Sequence, residues 1–161
     1  KDVPGVHRFL GRVWRLMIDE EAAGDGVFAH LRADRADDAD LERSLQRTIH
    51  KVEGDIERLA FNTAISAMMI FANDALNWQV KPASVLATFL QLLAPFSPHL
   101  AEELWERLHN HLGKAVPSLT YAPWPAFDPA LLVEGRITPS QQPTLRVGGR
   151  AAVADDDQHG A

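Results

Sequence analysis

Seven cations carry most of the chemistry this sequence can do. Arg8, Arg12 and Arg15 step by four and three, and Arg43, Arg47, Lys51 and Arg58 step by four, four and seven, with His50 beside them. On a helix, steps of three and four bring side chains to one side. Two cationic rows in a chain of net charge −6 are suited to a line of phosphates. That contact supplies affinity for a nucleic acid but little sequence information. The other reading is a solvated helix face with local ion pairs, such as Asp55 four residues after Lys51. Spacing alone leaves both open.

No other constellation reaches that level. His109 and His111 are two residues apart, so on a helix they point to different sides and cannot share a metal ion. His99 falls in the first turn of a helix, where a capping or core-edge imidazole is the simpler account than a general base. Glu102 and Glu103 are adjacent, and adjacent helix residues do not face each other. Glu103 with Arg107, four residues on, reads as a structural pair. No Gly-rich turn leads into Lys-Ser or Lys-Thr, and no Ser occupies a nucleophile elbow. There is no Cys, which removes disulfides, Cys-built zinc sites and thiol catalysis. No residue is assigned a catalytic or a metal-binding role.

The elements that position these residues read as helices. The chain has 161 residues, 46% apolar and 24% charged, enough for one domain with a core. Its apolar runs are broken by Asn, Gln or Pro, so none is expected to span a membrane. No signal peptide is visible. The chain opens on Lys1 rather than Met, and the expectation is a piece of a longer polypeptide.

Phe9, Leu10, Val13, Trp14 and Met17 fall on one side of a helix from Gly5 to about Glu20. Ala23-Gly24-Asp25-Gly26 ends it, and Val27, Phe28 and Leu31 are docking residues of the loop that follows. Asp37-Asp38-Ala39-Asp40 is an acidic start for a second helix. Its seam is Leu41, Leu45, Thr48 or Ile49, Val52, Ile56 and Leu59. Gly54 interrupts it, at a cost of about 1 kcal/mol relative to Ala. Phe61-Asn62-Thr63-Ala64 marks a break and a restart. The third helix runs to about Asn77. Ile65, Met68, Met69, Ala72 and Leu76 form its main apolar side, and Phe71, Ala64 and Ala67 extend it nearly all round, so a central place is expected. Lys81-Pro82 is the next corner. The fourth helix, Ala83 to Ala94, presents Val85, Leu86, Phe89, Leu92 and Leu93.

Pro95 cannot continue that helix. Ser97 is a good N-cap, and Pro98 then takes the first helical position, where a missing N–H costs nothing. The fifth helix buries Leu100, Leu104, Trp105 and Leu108, and ends near Leu112 with Gly113 as its C′ residue. Tyr121-Ala122-Pro123-Trp124-Pro125 is expected to lie extended across the bundle with Trp124 as anchor. Asp128 to Leu132 suits one short turn. From Gly135 to Ala161 no period survives, and the segment reads as disordered. The expected fold is all-α: an up-and-down five-helix bundle over residues 1–134, with an extended proline-rich segment and a tail over 135–161.

Several of these stretches carry a family resemblance. Ala94-Pro95-Phe96-Ser97-Pro98-His99-Leu100-Ala101-Glu102-Glu103-Leu104-Trp105 resembles the signature of the helical anticodon-binding domain of class I aminoacyl-tRNA synthetases. His7-Arg8-Phe9-Leu10-Gly11-Arg12-Val13-Trp14-Arg15-Leu16 looks like that domain's opening helix. Thr48 to Val52 and Asp55 to Met69 resemble its second and third helices. Tyr121 to Pro125, then Asp128, Leu131, Leu132 and Glu134, continue the match. Phe61-Asn62-Thr63-Ala64-Ile65, and His99 after Pro98, resemble the leucine enzymes more than the valine and isoleucine ones.

The resemblance implies a parent that ligates leucine to its tRNA with ATP and magnesium, in the cytoplasm. This piece would hold no cofactor itself. Its partners would be tRNA and the catalytic domain of the same polypeptide. The family's His-Ile-Gly-His and Lys-Met-Ser-Lys-Ser signatures are absent here, so the piece is not expected to activate an amino acid. Leucine enzymes do not depend on reading the anticodon, so backbone contacts are implied. Arg8, Arg12, Arg15, Arg43, Arg47, Lys51 and Arg58 are the candidates for them. After Glu134 the family continues into a small domain with a Val-Asn-Gly-Lys stretch, of which Leu145-Arg146-Val147-Gly148-Gly149-Arg150 is a faint echo. The alternatives are a non-catalytic helical scaffold that docks on a protein, or the same domain of a valine or isoleucine enzyme.

Overall fold

The computed structural model describes residues 3–21, 26–27, 31–32, 39–79 and 81–132. Five helices carry it: α1 (Val3–Met17), α2 (Ala39–Glu57), α3 (Phe61–Leu76), α4 (Ala83–Leu93) and α5 (Pro98–His111). This is the expected all-α five-helix bundle. Strands β1 (Leu31–Arg32) and β2 (Lys81–Pro82) add one parallel pairing two residues long. Phe28, Asp37, Asp38, Glu134 and the expected tail over 135–161 lie outside the described residues.

The helices close into a ring. α1 packs on α3, α3 on α2, α2 on α4, α4 on α5, and α5 back on α1. An up-and-down order would make every neighbour consecutive in sequence. Here the main consecutive pairs are α2 with α3 and α4 with α5, the two joined by short turns that force contact. The segments before α2 and before α4 carry the chain to a new side of the ring, and the β1–β2 pairing ties those two segments together.

Inside the ring, Val13, Leu16, Val52, Met68, Leu86, Phe89, Leu93 and Leu104 are almost wholly inaccessible. Phe71 stacks on Phe89 with centroids 4.7 Å apart and meets the edge of Trp78 at 5.4 Å. The most enclosed helix is α4, which buries Ala83, Val85, Leu86, Phe89, Leu90, Leu92 and Leu93. The expectation of a central α3 is corrected. Its buried side is Ala64, Met68, Phe71, Ala72 and Ala75, while Ile70 is 63% exposed.

Helix ends show where local chemistry overrode periodicity. α1 stops at Met17, three residues early, because Ile18 forms an antiparallel bridge with Val27 and the Asp19 N–H bonds the Gly26 carbonyl at 2.7 Å. α2 stops at Glu57. The Ala60 N–H bonds the Asp55 carbonyl at 2.7 Å and the Leu59 N–H bonds the Ile56 carbonyl at 3.0 Å. That is a Schellman end, with Leu59 at φ 57 in the left-handed place usually taken by glycine. Leu59, expected in the apolar seam, is therefore turned out and 74% exposed.

At the α4–α5 corner the Phe96 and Ser97 N–H groups both bond the Leu93 carbonyl, at 2.9 and 3.0 Å. Ser97 holds the N-cap position before Pro98, but its side chain makes no capping bond. Gly113 takes φ 63 just past α5, as a C′ glycine should.

Beyond α5 the chain runs back over the bundle as a strap. The Glu102 carboxylate accepts the Leu119 N–H at 3.0 Å, and Trp105 Nε1 donates to the Pro117 carbonyl at 2.9 Å. Gln91 Nε2 donates to the Pro123 carbonyl at 3.1 Å. Leu119 is buried and Trp124 is 39% exposed, so the anchor is Leu119 and the expectation for Trp124 is corrected. A short turn at Pro129–Leu132 then packs on α2, where buried Gln46 accepts the Asp128 N–H at 2.9 Å.

Candidate functional site

The cations of α2 lie along its border with α3. Arg43 and Arg47 share a cleft of about 410 Å³ with Asp40 and Ser44 of α2 and with Asp74, Asn77 and Trp78 at the far end of α3. Lys51 and Arg58 meet at Asp55, beside Thr63 in the first turn of α3. Glu53 follows Lys51 by two residues, about 200° round the helix, so it leaves that border free of its charge.

These cations are in different states. Arg43 bonds Asp40 on the turn before it. Lys51 Nζ lies 2.7 Å and Arg58 Nη2 2.9 Å from Asp55 Oδ1. Arg47 is exposed and has no ion pair among the described residues. The His50 ring lies 4.5 Å from that of Phe127, so it belongs to the seam with the strap and not to the cationic row.

On α1, Arg8 and Arg15 are exposed and, with His7, Gly11, Trp14 and Glu20, line a depression of about 320 Å³. Arg8 Nε also donates to the Pro4 carbonyl at 3.1 Å. The Arg107 guanidinium of α5 lies 5.2 Å over the Trp14 ring, so Trp14 turns to α5. Arg12, two residues earlier and about 200° round the helix, turns to the α3 side. It is half-buried, and its Nε is buried with no hydrogen-bond partner among the described residues. The helices that carry the two predicted rows both pack on α3; of the α1 cations Arg12 turns to it, while Arg8 and Arg15 share the depression with Trp14.

Sequence reasoning missed what lies between them. Asn62, Ser66, Ile70, Asn73 and Asn77 step by four, four, three and four, and all five are exposed. The only charged residue of α3 is Asp74. The signal was present as this polar period, hidden by the apolar residues on the rest of the helix.

Asp55 organises one end of the border. Its side chain is only 2% exposed, and its Oδ2 has no partner among the described residues. The hydrogen bond from Lys51 pulls its pKa from 3.8 down to about 2, burial opposes this, and Thr63 and Arg58 add to the lowering. A depressed carboxyl pKa stabilises the fold above the unfolded value of about 3.9 and stops doing so as pH falls through the folded one. The denaturation midpoint should therefore drop between about pH 4 and the folded pKa of about 2. In Asp55→Asn that part of the drop should vanish, which urea melts across this range will show.

Several other titratable residues have structural partners. Glu103 pairs with Arg107 at 2.7 Å, as expected. Glu102 holds the strap and His109 Nδ1 bonds the Trp105 carbonyl at 2.8 Å. Buried Lys81, its pKa lowered by burial, donates to the Trp78 carbonyl at 2.9 Å. Among the described residues no three His, Asp or Glu gather to hold a metal ion, and no helix is long and apolar enough to cross a membrane. What the arrangement offers chemically is fixed positive charge beside a neutral polar face.

Two comparisons bear on this site. Residues 38–147 match the family described as the anticodon-binding domain of tRNA ligase. Among solved structures, the chain is similar to the crystal structure of the ternary complex of Agrobacterium radiobacter K84 agnB2 LeuRS-tRNA-LeuAMS. The TM-score is 0.61 and the identity 28%, over 80% of this chain and 17% of that one.

Proposed function

This chain belongs to the anticodon-binding domain family of tRNA ligases, and from that premise we propose that it is the tRNA-binding helical domain of a leucine–tRNA ligase. The observation that supports the proposal is that Arg8, Arg12, Arg15, Arg43, Arg47, Lys51 and Arg58 stand in two rows on α1 and α2, the two helices that pack on α3. A line of cations suits a line of phosphates and does not converge on one base. The 28% identity to a LeuRS solved with tRNA supports leucine as the amino acid, as do the Phe61–Ile65 and His99 matches.

Residues 1–134 make up the helical domain in this reading. It would hold the tRNA body so that the acceptor end reaches a catalytic domain of the same polypeptide, where ATP and magnesium serve the ligation in the cytoplasm. This chain spans 17% of the matched ligase chain, and no nucleotide-binding loop is present in its sequence.

The test is to titrate the chain into leucine tRNA and into an unrelated tRNA at equal salt. Phosphate contacts are shared by all tRNAs, so the two affinities should agree within about threefold. Binding confined to one tRNA would mean that a base or a particular tRNA shape is read. Binding to neither would favour a scaffold that docks on protein.

A further inference from the structure

We propose that the outward row of α3 reads the 2′-hydroxyls of the tRNA, so that this face distinguishes RNA by its sugars while the flanking cations hold its phosphates. The proposal rests on the tRNA-binding reading and names the chemistry of its central contact.

The first observation is composition. In a chain that is 24% charged with net charge −6, an exposed helix face ordinarily carries charge. The sixteen residues of α3 carry one, Asp74, on the border with α2. The second is the state of the amides. Ser66 Oγ donates to the Asn62 carbonyl at 2.9 Å, and Asn77 Nδ2 to the Asn73 carbonyl at 3.0 Å. The side chains of Asn62 and Asn73 are exposed and make no hydrogen bond with the described residues. They lie eleven residues apart, three turns and about 16 Å along one face.

The third observation is the flanks. With axes about 8–10 Å apart for packed helices, and α3 the corner between α1 and α2 in the five-helix ring, the axes of α1 and α2 stand roughly 13–16 Å from each other across α3. An amide both donates and accepts, and so does a 2′-hydroxyl. A-form RNA shows its hydroxyls in a wide, shallow minor groove bordered by both phosphate backbones. An uncharged ridge that carries amides on both sides of the exposed Ile70, between two helices that bear cations, is complementary to that surface. On α2, Arg43 is held by Asp40, and Lys51 and Arg58 by Asp55, while Arg47 has no ion pair among the described residues.

The probes are a tRNA transcript and the same transcript carrying 2′-O-methyl groups throughout its stems, which keeps the A-form and removes the hydroxyl donor. The wild-type chain should bind the methylated form about tenfold more weakly, the effect of losing two exposed hydrogen bonds. Asn62→Ala with Asn73→Ala should bind both forms alike, at the methylated level. Arg47→Ala should weaken both forms by the same factor.

Equal binding of the two forms by the wild type would overturn the proposal and leave α3 as a face for protein, and that comparison needs no variant. Persistent discrimination by the double variant would overturn it as well, since the hydroxyls would then be read elsewhere. Failure to bind either form at any salt would instead remove the tRNA-binding reading beneath it.

Discussion

Trp105→Ala is expected to destabilise the fold by about 3–5 kcal/mol, the range for emptying a large buried site. Trp105 is 7% exposed and joins three parts of the molecule. It packs in the core beside Leu104 and Leu108, its ring lies 4.2 Å from that of His109, and its Nε1 holds the Pro117 carbonyl at 2.9 Å. Truncation removes the packing and the strap's bond together. Trp105→Phe separates them: it keeps most of the packing and loses the bond with a smaller part of the volume, for about 1–2 kcal/mol. Urea melts followed by circular dichroism measure both. A loss below about 1 kcal/mol for Trp105→Ala would show that the strap and α5 are not packed as described.

Removing Arg8, Arg15 and Arg47 together should lower tRNA affinity about a thousandfold near 0.1 M salt. Each phosphate contact releases counterions and contributes roughly tenfold at that concentration. These three are chosen because they are exposed and, in the described residues, none is held by a carboxylate, unlike Lys51 and Arg58 at Asp55. The slope of log affinity against log salt should fall by roughly 2–2.7, at 0.7–0.9 per contact. Stability should change little, since exposed charges contribute about 0–1 kcal/mol each. Filter binding across a salt series reads both numbers. A triple variant with unchanged slope would make the rows solvated surface.

Much of this architecture was legible in the sequence, for identifiable reasons. The Pro95–Pro98 corner dictates a break because proline cannot donate and restricts the residue before it. The helices followed from apolar periods that their burial matches closely, as at Val85, Leu86, Phe89, Leu92 and Leu93. The ring order was not legible, because it depends on where the connecting segments pair, and two residues of β1 and β2 carry no pattern. Leu59 misled because a left-handed C′ position is normally announced by glycine. Trp124, the expected anchor, is 39% exposed. Leu119 holds that place because Glu102 accepts its own N–H and Trp105 binds the Pro117 carbonyl two residues before it.

The site was half legible. Cations in two rows could be read from spacing, but their states could not. That Asp55 is buried, and so fixes Lys51 and Arg58, depends on α3 lying against it. The outward row of α3 depends on its neighbours, because α1 and α2 pack on α3 only in the folded ring.

The most direct single measurement is the affinity of the wild-type chain for tRNA as a function of salt between about 50 and 200 mM. If the cations on α1 and α2 face phosphates, log affinity falls linearly with log salt. The slope then reports several contacts, at roughly −0.7 to −0.9 for each. A flat line, or no binding at the lowest salt, would contradict the assignment of this helical face to tRNA.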